Sequence, residues 1–197
     1  METKAKTQRY QNRSSSKVLI RITLTALFAA ITAAGAFIAI PIGPVPIALQ
    51  NLFTLLAGLV MGPVLGALSV GLFLVAGAIG LPVFANTGAP MGIARIMGPT
   101  GGYLFGYLLG ALVAGLILGY PRAAEKIPIW RLVIAVLAAL LVVYIPGLLQ
   151  LKFRLDIDWA RTFSIGFLPF IPGDAIKGLV AALAAPRLRR IASQRLA

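Results

Sequence analysis

Asp174 and Lys177 stand three residues apart in Phe163–Pro186, a segment with no other charged residue. On a helix that spacing places both side chains on one face. A carboxylate supplies hydrogen-bond acceptors and an ammonium supplies donors, so the pair suits recognition of a small polar molecule. A charge at the bilayer centre costs roughly 2.5–3.5 kcal/mol on insertion scales, which drives such residues toward a protein interior or a cavity. Two readings follow: a mutually neutralising pair that pins a helix bundle, or an outward-facing polar ligand site. Pro172-Gly173 just before the pair opens the backbone, as a cavity requires, and favours the ligand site.

Other polar residues extend the candidate set. Asn86 and Arg95 lie in a Gly- and Pro-rich stretch, Leu81–Gly98, where turn chemistry and solvation are the default roles. Gln50 and Asn51 open an apolar run, and there capping competes with ligand contact. Tyr103, Tyr107 and Tyr144 suit either a cavity wall or an interfacial aromatic belt, the belt being the default. Trp130 and Trp159 sit at helix ends as belt anchors. Catalysis is a poor fit. The chain has no Cys and no His, which excludes thiol nucleophiles, ordinary zinc sites and His-based acid–base work. Ser69 and Ser164 have no base beside them in the sequence, and outside the apolar core only Glu125, Asp156 and Asp158 are available as acids. The expectation is a protein that is not an enzyme, with no catalytic residue, metal or cofactor.

The elements that must hold these residues follow from composition. Of 197 residues 59% are hydrophobic and 12% charged, with a mean hydropathy of +0.94. Soluble domains carry about 25% charged residues, so a soluble fold is excluded. Ile22–Ala94 holds no Asp, Glu, Lys or Arg over 73 residues, far more than the ~20 that one span needs. Proline and glycine cut the chain into six apolar segments: Val18–Ile40, Ile47–Met61, Val64–Gly80, Pro99–Tyr120, Arg131–Gln150 and Ser164–Ala185. The second and third are short and would merge into one bent span, but Gly62-Pro63 is a strong turn signal. The fold class is therefore an all-α integral membrane protein of six transmembrane helices. Pro146-Gly147 is expected to kink or end the fifth.

The net charge of +13 does not indicate nucleic acid. Six basic residues fall within the first 21 positions, and Arg187, Arg189, Arg190 and Arg195 close the chain. With six spans, 13 basic residues fall on one side and four on the other. The positive-inside rule makes the richer side, with both termini, cytoplasmic. Residues 1–17 and 187–197 are then basic cytoplasmic tails around one membrane domain, 18–186. The long basic region argues against a cleaved secretory signal. No G-x-x-x-x-G-K-[ST] occurs, so the chain carries no recognisable ATPase of its own.

Small residues recur at four-residue spacing. Ala26, Ala30 and Ala34 form such a face on the first segment, and Gly102, Gly106 and Gly110 form another on the fourth. Such faces let helices approach closely in lipid. From pattern alone both read as internal packing, the glycine face more strongly.

Taken in order, GPVPIALQNLFTLLAGLVMGP (Gly43–Pro63), LGALSVGLFLVAGAIGLPVFA (Leu65–Ala85), GPTGGYLFGY (Gly98–Tyr107) and IPGDAIK (Ile171–Lys177) closely resemble the BioY family. These are the biotin-specific substrate-binding (S) components of energy-coupling factor transporters of prokaryotic cell membranes. The resemblance covers roughly Leu19–Ala185. It implies an S-component fold with an outward-facing biotin site, working with a transmembrane coupling protein and two ATPase subunits. By motif the family's ligand residues fall on Asp174, Lys177 and Asn86. Arg95 lies near where the family can place an arginine, and Gln50 and Tyr103 complete the candidate set. The resemblance also moves Ala26, Ala30 and Ala34 toward a contact with the coupling protein. A homo-oligomer in the lipid bilayer is a further partner candidate. An S component of the same fold for another vitamin is the competing reading.

Overall fold

The chain is described by a computed structural model covering residues 2–40, 45–85, 91–122 and 126–196, with side chains from residue 15 onward. Eight α-helices occur among them: α1 Glu2–Phe37, α2 Gln50–Met61, α3 Pro63–Ala78, α4 Ile93–Met97, α5 Gly101–Leu118, α6 Ile129–Leu155, α7 Trp159–Gly166 and α8 Ile171–Leu196. Each of the six segments read from the sequence overlaps one of the longer helices. Gly62 takes a φ of +84°, a conformation that favours glycine. Pro63 follows at the first helical position, where its missing amide costs nothing. The backbone thus turns between α2 and α3 in one step, and the two are separate helices.

Other boundaries differ from expectation. α6 passes through Pro146 to Leu155, and α8 passes through Pro186 to Leu196. Proline leaves one carbonyl of the preceding turn without its amide, but packing on neighbouring helices carries both through. The segment expected as one helix from Ser164 is divided: α7 ends at Gly166, a 3-10 turn spans Leu168–Phe170, and α8 starts at Ile171. Pro172 lies in its first turn. Two residue pairs, Ala39 with Ala48 and Ile40 with Ile47, form a minimal antiparallel ladder, β1 Ala39–Ile40 and β2 Ile47–Ala48. Its amide bonds join the end of α1 to the start of α2.

The described residues of both tails are helical. α1 begins at Glu2, and α8 continues to Leu196 with Arg189, Ala192 and Ser193 buried.

Close approaches fix the order of the bundle. A Cβ on Gly102 would lie 2.0 Å from the carbonyl oxygen of Pro146, and one on Gly106 would lie 2.6 Å from that of Val143. One on Gly110 would lie 2.9 Å from Val143 Cγ2. The glycine face of α5 is therefore internal packing against α6, as the pattern indicated. Pro63 meets Gly115 at one end of α3, and Gly71 faces Leu108 further along, so α3 also runs antiparallel to α5. Helices α2, α5 and α8 run one way, and α3 and α6 the other. Leu55, Leu59, Val70, Phe73, Leu118, Leu132, Ala181 and Ala185 fill the core between them.

The outside is apolar. Leu68, Leu72 and Val75 of α3, Leu137 and Leu141 of α6, and Ile176, Leu179 and Leu183 of α8 are exposed. Water would not tolerate such a surface, and lipid does. Four helical stretches are long and apolar enough to cross a membrane: Ser15–Phe37, Gly101–Leu118, Ile129–Leu155 and Trp159–Leu196. At 1.5 Å per residue, α2 and α3 reach only about 18 and 24 Å, short of the ~30 Å hydrocarbon core.

Candidate ligand-binding site

Asp174 and Lys177 lie in the first two turns of α8, both buried, with Nζ 2.9 Å from Asp174 Oδ1. Asn51 Nδ2 donates to the same oxygen at 3.2 Å, and the Tyr144 hydroxyl donates to Oδ2 at 2.5 Å. Three helices therefore converge on one carboxylate. The donors satisfy a charge that would otherwise be costly to bury.

This network borders a cavity of about 30 Å³ walled by Val45, Ala48, Tyr103, Tyr107, Val143 and Phe170. A second cavity of about 30 Å³ shares Val45, Pro46, Ala48, Tyr103 and Tyr107 with it, and adds Gln50, Phe84, Arg95 and Thr100. The shared walls make them two arms of one space. Apolar walls with a few placed polar groups are the usual chemistry of a small-molecule site.

Gln50 and Asn51 divide between the arms. Adjacent helix positions are about 100° apart, so Asn51 reaches Asp174 and Gln50 lines the second arm. Neither caps the helix: the N-cap of α2 is Leu49, with no side-chain cap bond. Gln50 is 2% exposed and its Nε2 has no hydrogen-bond partner. A buried amide left so is unfavourable by about 1–3 kcal/mol.

Arg95 is buried in α4 and donates from Nη2 to the Ala85 carbonyl at 2.8 Å. Burial lowers its pKa from the usual value. Arginine nonetheless stays cationic at neutral pH, so the second arm holds a partly desolvated positive charge. The α4 corner is held from α6: Gln150 Nε2 donates to the carbonyls of Ile96 and Gly98 at 2.8 and 2.7 Å.

The tyrosines are cavity walls, not a belt. Tyr103 and Tyr144 are buried, with rings edge-to-face at 6.1 Å, and Tyr144 meets Phe167 at 4.8 Å. Membrane-interface residues would be exposed at the helix ends, as Trp130 and Trp159 are. The Tyr103 hydroxyl donates to the Gly166 carbonyl at 2.8 Å, so Tyr103 offers the cavity chiefly its ring. Ser69 and Ser164 donate to carbonyls of their own helices, Gly66 and Arg161.

The structure thus gathers Asp174, Lys177, Gln50, Arg95 and Tyr103 around one space. Asn86 lies outside the described residues. Asn51 and Tyr144 were noted in the sequence but not placed in the ligand set. The signal for Asn51 was an amide inside an apolar run, and Tyr144 carried none that told a wall from a belt.

A model of the BioY family matches residues 4–194. The chain belongs to the BioY family. Among its relatives, a BioY protein of Pyrococcus horikoshii is 42% identical over 169 residues, covering 85% of this chain and 95% of the relative. The biotin transporter BioY of Thermotoga maritima is 43% identical over 169 residues, covering 86% and 95%. The crystal structure of the S-component for biotin from an ECF-type ABC transporter superposes with a TM-score of 0.74. It is 33% identical, with 86% of this chain and 90% of that one covered. The BioY relationship and the S-component fold agree with the motif resemblance. The relatives are transporters, and this BioY chain is a membrane protein of that family rather than an enzyme.

Proposed function

We propose that the chain binds biotin with high affinity and serves as the substrate-specific component of an energy-coupling factor transporter. The observation that carries this reading is the Asp174 network beside an aromatic cavity in a chain of the BioY family. Biotin presents two ureido N–H donors and a carbonyl on an apolar fused ring, and a carboxylate at the end of an aliphatic chain. Asp174 is the acceptor for a ureido N–H, and Lys177 the donor for the ureido oxygen. Tyr103, Tyr107 and Val143 give the ring and chain apolar contact. Arg95 and the Gln50 amide suit the carboxylate. Asn86 takes a ureido edge.

Uptake needs energy from outside the chain, supplied by a coupling protein and two ATPases. Ala26, Ala30 and Ala34 are exposed on α1 while Ala29 and Ala36 are buried. A flat outward strip of small residues is what a close helix–helix contact in lipid uses. All six longer helices cross the cytoplasmic membrane, α2 and α3 with the help of their flanking turns. The end of the bundle with both chain termini faces the cytoplasm, following the excess of Lys and Arg there.

The test is calorimetric titration of the purified chain in detergent with biotin, using thiamine and riboflavin as controls. Saturable 1:1 binding of biotin alone is the expected result. Folded protein that ignores biotin, or prefers another vitamin, would sink the reading.

A further inference from the structure

Arg189 is 3% exposed, in the half of α8 farthest from the cavity. Its Nη1 donates to the carbonyl of Leu59 at 2.6 Å and of Gly119 at 3.2 Å. Its Nη2 donates to Gly119 at 3.2 Å and Leu118 at 3.4 Å. These acceptors are the terminal carbonyls of α2 and α5, which lack amide partners within their own helices and form the negative ends of the helix dipoles. One guanidinium thus joins the C-terminal ends of two helices to the side of a third.

Those three helices also supply much of the cavity. Asn51 of α2, Tyr103 and Tyr107 of α5, and Asp174 and Lys177 of α8 stand at their opposite ends. From the Arg189 cluster to the cavity is about 12 Å along α2, 16 Å along α5 and 22 Å along α8. A helix is stiff along its axis, so fixing the axial register at one end fixes it at the other. Apolar packing alone permits small sliding of one helix past another. Hydrogen bonds from a planar, multidentate cation do not.

We propose that Arg189 is a remote positioning residue: it sets the mutual register of α2, α5 and α8 and thereby the geometry of the Asn51–Asp174–Tyr144 network. The proposal rests on the reading of the cavity as a biotin site. A site held within about 0.5 Å loses affinity when its supporting contacts loosen.

The experiment compares Arg189→Met, Arg189→Lys and, as a control, Arg190→Met, which removes the same charge from an exposed neighbour. Calorimetry with biotin separates binding stoichiometry from Kd, and near-ultraviolet circular dichroism reads the tyrosine cluster without ligand. A purely structural arginine would lower the binding-competent fraction and leave the Kd of that fraction alone. The expected result for Arg189→Met is preserved stoichiometry, a Kd raised about tenfold or more and an altered tyrosine band. Lys, a point cation without the planar fork, falls between. Arg190→Met behaves as the unmodified chain. A Kd within about twofold and an unchanged tyrosine band in Arg189→Met overturn the proposal. If Arg189→Met does not fold, Arg189→Lys decides by the same criteria. Failure of both to fold also overturns it, since Arg189 is then a determinant of folding as a whole. If the unmodified chain does not bind biotin, the functional reading fails by itself, and the tyrosine band alone decides the register proposal.

Discussion

Tyr144 donates its hydroxyl proton to Asp174 Oδ2, while Asn51 and Lys177 both occupy Oδ1. The carboxylate is thereby shared between α2, α6 and α8. Removing one donor should act differently from removing the charge. In Tyr144→Phe the ring keeps its edge contacts with Tyr103 and Phe167, and one hydrogen bond to a charged group is lost. That costs about 1.5–3 kcal/mol. The expectation is a lower thermal midpoint and a Kd for biotin raised about tenfold, read by thermal shift and calorimetry. Tyr103→Phe loses only the bond to Gly166 and should leave the Kd within about threefold.

Asp174→Asn removes the only charge facing Lys177 at hydrogen-bond distance among the described residues. A buried ammonium without its counter-charge is strongly destabilising, by about 3–5 kcal/mol where one partner of a buried pair is deleted. Two results are expected: a fall in the thermal midpoint and a large loss of biotin affinity. Affinity within about twofold of the unmodified chain would show that Asp174 is no ligand contact.

Gln50→Leu separates stability from function. The amide nitrogen is buried without a hydrogen-bond partner, and replacing the carboxamide with an apolar group relieves a desolvation cost of about 1–3 kcal/mol. The ligand-free thermal midpoint should rise while biotin binding weakens. A lower midpoint with unchanged affinity would remove Gln50 from the ligand set.

Ala30→Trp projects from the exposed strip of α1, so fold and biotin binding should persist while co-purification with the coupling protein is lost. Ala29→Trp, one residue earlier and 7% exposed, should instead disrupt the fold. Size-exclusion chromatography and pull-down distinguish the two. Equal behaviour of both variants would mean the strip has no separate role.

Gly106→Leu tests the α5–α6 seam. Even a Cβ there lies 2.6 Å from the Val143 carbonyl oxygen, and backbone cannot yield as a flexible side chain does. Overpacking of this kind costs about 1–3 kcal/mol or more, and the helices that carry Tyr107 and Tyr144 would separate. The expected outcome is aggregation on size-exclusion chromatography, or binding lost in the folded remainder.

Several of these features were open to reading in the chain itself. The absence of charge from Ile22 to Ala94 excludes a water-facing surface, and Gly62-Pro63 marks a turn, because both effects are local or compositional. The Asp174–Lys177 pairing is equally local: three residues on a helix bring two side chains to one face. Pro146 and Pro186 were legible only in part, because α6 and α8 stay helical through residues that kink or end helices in isolation. The tyrosines were legible only in part, since an aromatic has the same sequence signature at a lipid interface and at a cavity wall.

The sequence by itself determined a membrane-embedded helical chain, its break at Gly62-Pro63, its family motifs and the one charged pair in its last apolar segment. Tertiary structure alone decided that Asn51, 123 residues before Asp174, and Tyr144, 30 before it, close on the same carboxylate. It alone decided that Arg189 is buried and hydrogen-bonded to the ends of α2 and α5. Those contacts depend on the axial register of packed helices. Register is fixed by the summed fit of glycine seams and side chains along whole helices, which no local spacing encodes.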